Sequence, residues 1–244
     1  MIATGEVLNL RGGSTVSQTR NAAASPLRGP DRVPLPAEGE PPHVTRFAPS
    51  PTGYLHLGHA YSALFAFEAA RQTGGRFLVR IENIDHTRCR PAFEEATLDD
   101  LRWLGLFWDG EVRRQSEHLD LYGQALEELE RLGVLYPCFC TRKQIRAEVE
   151  EAGRAPHGPC GELVYPGICR HLSEEERRYR RRQGEPFAWR LDIERALALT
   201  GPLQWFDYRA GWIEAQPQLF GDIVVARKDI PTSYHLAVVI DDHI

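Results

Sequence analysis

One stretch, RFAPSPTGYLHLGHA at Arg46–Ala60, constrains the fold more than any other. It follows a strand-like run, VTRFA, and opens a segment whose apolar residues fall at helical spacing: Leu57, Ala60, Tyr61, Leu64, Phe65 and Phe67. The chain must therefore leave a strand, bend tightly and enter a helix within a few residues. Pro49 and Pro51 stiffen the exit from the strand, Gly53 permits a tight turn, and Gly58 leaves the backbone bare enough for a flat ligand to approach. Gly74 and Gly75 close the helix after Gln72. A second strand is expected at Arg76–Glu82 (RFLVRIE). Pro91 opens a second helix that runs to about Leu104, and Ser116–Leu132 forms a third, stopped by Gly133. Strand, helix, strand at this spacing predicts an α/β fold with a parallel sheet and right-handed crossovers.

In such a sheet, ligands gather at the carboxyl ends of strands, beside helix N-termini. The helix tip after His56 offers unpaired N–H groups and positive partial charge, which suits phosphate. His56 and His59 add donors for phosphoryl oxygens as charge builds. Two histidines three apart also suit a metal, but no third ligand lies nearby in the sequence.

Further along, Pro137–Arg170 interrupts the alternation and carries Cys138, Cys140, Cys160 and Cys169. A compact metal-bearing insertion and a set of buried reduced thiols both fit it; Cys89 stands apart and reads as packing or surface. In LSEEERRYRRRQG, Ser173 caps a helix, Glu176 completes a capping box and Gly184 ends it. FAWRLDI and DIVVARK read as later strands. Thr232 or Ser233 can cap a last helix from Tyr234, although LAVVI also suits a strand. Residues 1–43 hold no aromatic residue and are rich in Pro, Gly and Ser, as expected of a disordered extension.

The net charge of −5 gives no overall attraction for nucleic acid, so any such partner needs a local basic patch. Arg177–Arg182 is one candidate. Glutamates at the start and arginines at the end of one short helix also simply match its dipole. No apolar run approaches the ~20 residues of a membrane helix, and no apolar leader is present, so a cytoplasmic chain without membrane contact is expected. Five cysteines do not suggest a disulfide framework, in keeping with a reducing compartment.

RFAPSPTGYLHLGHA resembles the signature of the glutamyl-type class I aminoacyl-tRNA synthetases, with His56-Leu57-Gly58-His59 as its HIGH element. The resemblance continues through RIENID (Arg80–Asp85), CFCTR (Cys138–Arg142), YPGIC (Tyr165–Cys169) and SYHLAVVIDD (Ser233–Asp242). It covers residues 44–244 and implies a Rossmann-like catalytic domain with a small insertion at 137–172. Within the family the chain is most similar to the short branch without an anticodon-binding domain. That branch activates L-glutamate with ATP and transfers it to queuosine at the wobble position of tRNA(Asp).

The resemblance also implies residue roles. Arg46 would pair with a substrate carboxylate and Glu82 with the α-ammonium, while Phe47, Ala48, Pro49, Ser50 and Tyr234 line the glutamate pocket. Pro49, Gly58, His56 and His59 would hold ATP, the two histidines steadying the transferring phosphate alongside Mg²⁺. From spacing alone, Arg46 and Glu82 serve equally well as partners of each other or of neighbouring residues. Cys138, Cys140, Tyr165 and Cys169 would hold one structural Zn²⁺. Tyrosinate is an unusual ligand, so Cys160 in place of Tyr165 stays open on chemical grounds, as do His157 and His171. Asn83 stands where the family has aspartate and so loses a charge. The family continues past VVIDDHI into a strand with a substrate-binding arginine and a lysine-bearing KMSKS-like loop. The given residues stop at Ile244, so a truncated chain of weakened activity is expected; a monomer is expected as well. Two other readings stand beside the synthetase: a non-catalytic zinc-bearing module that binds glutamate, nucleotide or tRNA, and the front half of an ordinary glutamyl-tRNA synthetase.

Overall fold

The computed structural model describes residues 41–151 and 164–244. The expected extension therefore lies outside the described residues, apart from its last three. Of these, His43 is tied into the domain: its N–H donates to Thr73 Oγ1 at 2.9 Å and its carbonyl accepts from Arg76 N at 3.0 Å.

Strand β1 (Val44–Phe47) pairs in parallel with β2 (Arg76–Ile81), which pairs in parallel with β3 (Arg113–Arg114). Helix α1 (Leu57–Gln72) crosses over from β1 to β2, and α2 (Pro91–Trp103) from β2 towards β3. The buried residues of α1 are Ala63, Ala69 and Ala70, with Leu64, Ala66 and Phe67 packed against the same core. Leu57 and Tyr61, although at helical spacing, are exposed. The core beneath α1 joins Phe47, Phe77, Val79, Ile81, Leu101 and Leu106. Gly74 takes φ 68° and ends α1 in the left-handed region, where glycine carries no steric cost. Gly75 is required by contact: a Cβ there would lie 1.8 Å from the His43 carbonyl oxygen.

The third helix begins later than its sequence suggests. A 3₁₀ turn at Gln115–Glu117 precedes α3 (Leu119–Arg131). A second sheet, antiparallel and unforeseen, has β5 (Ala188–Leu191) between β4 (Leu135–Cys138) and β8 (Val224–Ala226). A short hairpin, β6 (Gln204–Asp207) with β7 (Gly211–Glu214), lies between β5 and β8 in the chain. Helix α4 (Arg142–Glu151) follows β4 in sequence, and α5 (Glu174–Arg182) and α6 (Ile193–Thr200) flank β5.

Ser173 caps α5 by accepting from Glu176 N at 3.1 Å. Most of the arginines of α5 are spent on the fold. Arg177 stands over the Tyr136 ring, Arg180 over Phe139, and Arg181 over Phe187 and Trp189. Arg180 also pairs with Glu185, Arg178 with Glu174 and Arg181 with Glu130. Most of the basic run is thus held against the second sheet and in local ion pairs.

LAVVI is helical. Ser233 caps α7 (Tyr234–His243), which buries Leu236 and Ala237 in a core with Tyr122, Leu135 and Val225. Among the described residues, no helix is long and apolar enough to cross a membrane.

Candidate active site

The bend after β1 is held by backbone bonds from the end of β2 and from the residue that opens α2. Glu82 N donates to Pro49 O and Arg90 N to Pro51 O, each at 3.0 Å. This places the ends of β1 and β2 on one rim. Phe47 and Pro49 are buried, and the Phe47 side chain belongs to the core, leaving its backbone alone for a ligand. Ala48 is half-buried and Ser50 exposed at the mouth.

At the tip of α1 the two histidines form a reciprocal cap. Gly58 N donates to His56 Nδ1 at 3.1 Å, and His56 N donates to His59 Nδ1 at 3.2 Å. The rings lie 3.8 Å apart between centroids, tilted by 30°. Both Nδ1 atoms accept, so in each neutral ring the proton sits on Nε2. Burial, then the neighbouring His56, lowers the pKa of His59 and favours this neutral form. Gly58 has a role beyond bareness: a Cβ there would lie 3.1 Å from His56 Cε1 and 3.2 Å from its Nδ1, pressing on the cap.

Arg46 and Glu82 do not pair with each other. The Arg46 guanidinium is gripped by Asp242, Nε to Oδ1 at 2.6 Å and Nη2 to Oδ2 at 2.9 Å. Asp242 Oδ1 also accepts from Arg80 Nη1 at 2.6 Å, and Arg80 Nη2 reaches Glu82 Oε1 at 3.0 Å. Four charges alternate in sign along this chain of contacts. Burial pushes the Glu82 carboxyl above its usual range despite Arg80. The bond from Arg46 holds the Asp242 carboxyl below its usual range. Beside it, the fully buried Asp241 side chain accepts from Arg113 Nε at 2.8 Å, from Gln115 Nε2 at 2.9 Å and from Tyr122 Oη at 3.0 Å. These contacts fasten the end of α7 to the parallel sheet. The sequence reading assigned Asp241, Asp242, Arg80, Gln115 and Tyr122 no role. The available signal was a pair of acids closing an apolar helix while RIEN supplies an arginine two residues before Glu82.

A cavity of about 670 Å³ opens beside this network, with Ser50, Glu82, Gln115 and Tyr234 among its lining residues. Cys138 and Cys140 also reach its wall, as do the cations Arg88, Arg142, Arg227 and Lys228. Arg46, His56 and His59 stand outside the lining. Cys89 sits on the same wall, its Sγ 3.8 Å from the Glu82 carbonyl. Asn83 uses the acceptor it keeps: its Oδ1 receives Ser116 N at 2.9 Å.

Cys138, Cys140 and Cys169 bring their sulfurs within 4.8 Å of one another, a group able to hold a metal. Cys140 Sγ is 3.4 Å from Cys169 Sγ. The Tyr165 hydroxyl joins them, 3.4 Å from Cys138 Sγ and 3.5 Å from Cys140 Sγ. Three sulfurs and one oxygen around a common centre suit a tetrahedral ion. The Cys138 thiol, the amide of Phe139 and the Tyr165 hydroxyl together favour thiolate at Cys169, whose pKa falls to about 6. Burial raises that of Tyr165, so its phenol stays protonated unless a cation displaces the proton. Cys160 and His157 lie outside the described residues.

Residues 43–244 match the model for the catalytic domain of class I tRNA synthetases (E and Q). A glutamyl-Q tRNA(Asp) synthetase of Rhodobacter capsulatus is 49% identical over 206 residues, covering 82% of this chain and 72% of that protein. A glutamyl-Q tRNA(Asp) synthetase of Symbiobacterium thermophilum is 45% identical over 207 residues, covering 81% of this chain and 61% of its own length. Among solved structures, a glutamate tRNA ligase from Elizabethkingia meningosepticum in complex with its amino acid superposes with a TM-score of 0.66. It is 31% identical, and the match covers 83% of this chain and 42% of that one.

Proposed function

Because the chain belongs to the catalytic-domain family of class I tRNA synthetases for glutamate and glutamine, we propose that it activates L-glutamate with ATP and transfers it to queuosine at the wobble position of tRNA(Asp). The observation that carries this reading is the rim itself. A cation at Arg46 and an anion at Glu82 are joined through Asp242 and Arg80, beside a cavity bearing Ser50 and Tyr234. A dicarboxylic amino acid needs both signs of charge in its site.

The chemistry follows from these residues. Arg46 takes a carboxylate of glutamate and the Glu82 carboxylate takes its ammonium. Ser50 and the backbone of Phe47–Pro49 complete the pocket with Tyr234. The α-carboxylate is then free to attack the α-phosphorus of ATP, and pyrophosphate leaves. His56 and His59 present Nε2–H donors to the phosphoryl oxygens as negative charge accumulates, and the α1 tip adds its partial charge at Gly58. Bound with ATP, Mg²⁺ would supply charge neutralisation at the phosphates. No enzyme nucleophile is needed, so the cysteines are left for metal. Cys138, Cys140, Cys169 and Tyr165 would hold one structural zinc, which would tie Tyr165 and Cys169 to the end of β4. The exposed cations Arg88 and Arg142 at the cavity supply the local positive patch that a polyanion needs on an acidic chain, in a cytoplasmic setting.

The glutamate tRNA ligase similarity supports a second reading, in which these residues form the front part of a longer enzyme that charges tRNA(Glu). Glutamylation separates the two. Incorporation of labelled glutamate into queuosine-bearing tRNA(Asp), and none into the unmodified form or tRNA(Glu), is expected. Charging of tRNA(Glu) alone would replace the first reading with the second.

A further inference from the structure

An arginine presents a carboxylate with two different edges, the Nε/Nη2 edge and the Nη1/Nη2 edge. In this fold the first edge of Arg46 is closed by Asp242, through Nε at 2.6 Å and Nη2 at 2.9 Å. The Arg46 side chain as a whole remains 39% exposed, and no bond to its Nη1/Nη2 edge beyond the Asp242 contact is seen among the described residues, so a ligand can meet that edge. Asp242 is itself fixed from behind. Its Oδ1 receives Arg80 Nη1 at 2.6 Å, and the Arg80 side chain is only 4% exposed. The same arginine reaches Glu82. Asp242 thus touches one substrate-binding group directly and the other through a single buried cation. It arrives on α7, an element separate from both strands, and Asp241 pins that helix end to Arg113, Gln115 and Tyr122.

We propose that Asp242, with Arg80 behind it, is a positioning residue that selects which edge of Arg46 meets the amino acid and fixes the offset between Arg46 and Glu82. The inference rests on the glutamate-binding reading above and deepens it. Without the Asp242 carboxylate, nothing closes the Nε/Nη2 edge of Arg46 and it can offer either edge, while Arg80 loses its link to Arg46 and is left with Glu82 and the buried Asp241. The amino acid site weakens. The phosphate site at His56 and His59, which Asp242 does not touch, is left as it was.

Asp242→Asn tests this. It keeps the size of the side chain but sets an NH₂ group against one of the two donors of Arg46. Calorimetric titrations of L-glutamate and, separately, of ATP into the purified chain are compared with the unsubstituted protein. The expected result is a loss of glutamate affinity of ~10-fold or more, the scale of a charge-assisted hydrogen-bond pair, with ATP affinity unchanged. Asp242→Glu keeps the charge on a longer stem and is expected to lose less. It carries the comparison if the asparagine variant fails to fold by circular dichroism. Equal losses for glutamate and ATP would reduce Asp242 to a structural support and overturn the proposal, as would unchanged glutamate binding. If the unsubstituted chain does not bind glutamate at all, the glutamate-site reading falls, and this inference with it.

Discussion

At the scale of single residues, the two histidines of the α1 tip do more than offer donors. They cap the helix with each other, and the capping bonds set which nitrogen of each ring carries the proton. The proposed chemistry therefore rests on the same side chains that cap the helix. His56→Ala is expected to cost ~1 kcal/mol of stability by loss of the cap. It should also slow glutamate activation by ~10²–10³, the scale of one preorganised donor. Chemical denaturation and pyrophosphate exchange measure the two effects separately. Glu82 gives a pH prediction. Its carboxyl is pushed upward by burial, so it loses its charge on acidification earlier than an ordinary glutamate near pH ~4.3. Glutamate affinity should then fall as pH drops towards that value from above. Glu82→Gln should bind weakly throughout, and that acid limb should vanish. Arg46, Glu82 and the histidines stand out as candidates because each lies in a short local motif. Asp242 does not, because its contact with Arg46 joins positions 196 apart, and spacing carries no sign of such a pairing.

At the scale of elements, punctuation decided what could be read. The bounds of α1 follow from His56 at one end and Gly74–Gly75 at the other. Gly75→Ala would drive a methyl into the His43 carbonyl. It should destabilise the domain by ~3 kcal/mol, at the upper end of overpacking costs, in urea denaturation. The antiparallel sheet was not legible, since β4 finds its partner β5 only after the whole cysteine segment has intervened. The β6–β7 hairpin escaped notice because its strands are four residues each and bound by a glycine turn. LAVVI is apolar enough for either element; only the Ser233 cap resolves it. The cysteine insertion is expected to bind one zinc per chain. Cys138→Ser should abolish that stoichiometry in elemental analysis. A chelator should lower the melting temperature of the parent protein and leave the variant unmoved. Full zinc retention by the variant would remove Cys138 from the ligand set.

At the scale of the whole molecule, two sheets meet around one cavity, and α7 ties them together. Its apolar side packs with Tyr122, Leu135 and Val225, while its acidic end reaches Arg46, Arg80 and Arg113 on the parallel strands. The proposed amino acid site thus draws on segments far apart in the chain, and the global fold is needed before its residues come together. The most direct test is a crystal structure of the protein with ATP and L-glutamate bound. The account predicts a glutamate carboxylate on the free edge of Arg46, its ammonium on Glu82, and ATP phosphates at the His56–His59 tip. Glutamate bound elsewhere, or Arg46 and Glu82 turned away from an empty crevice at saturating ligand, would contradict it.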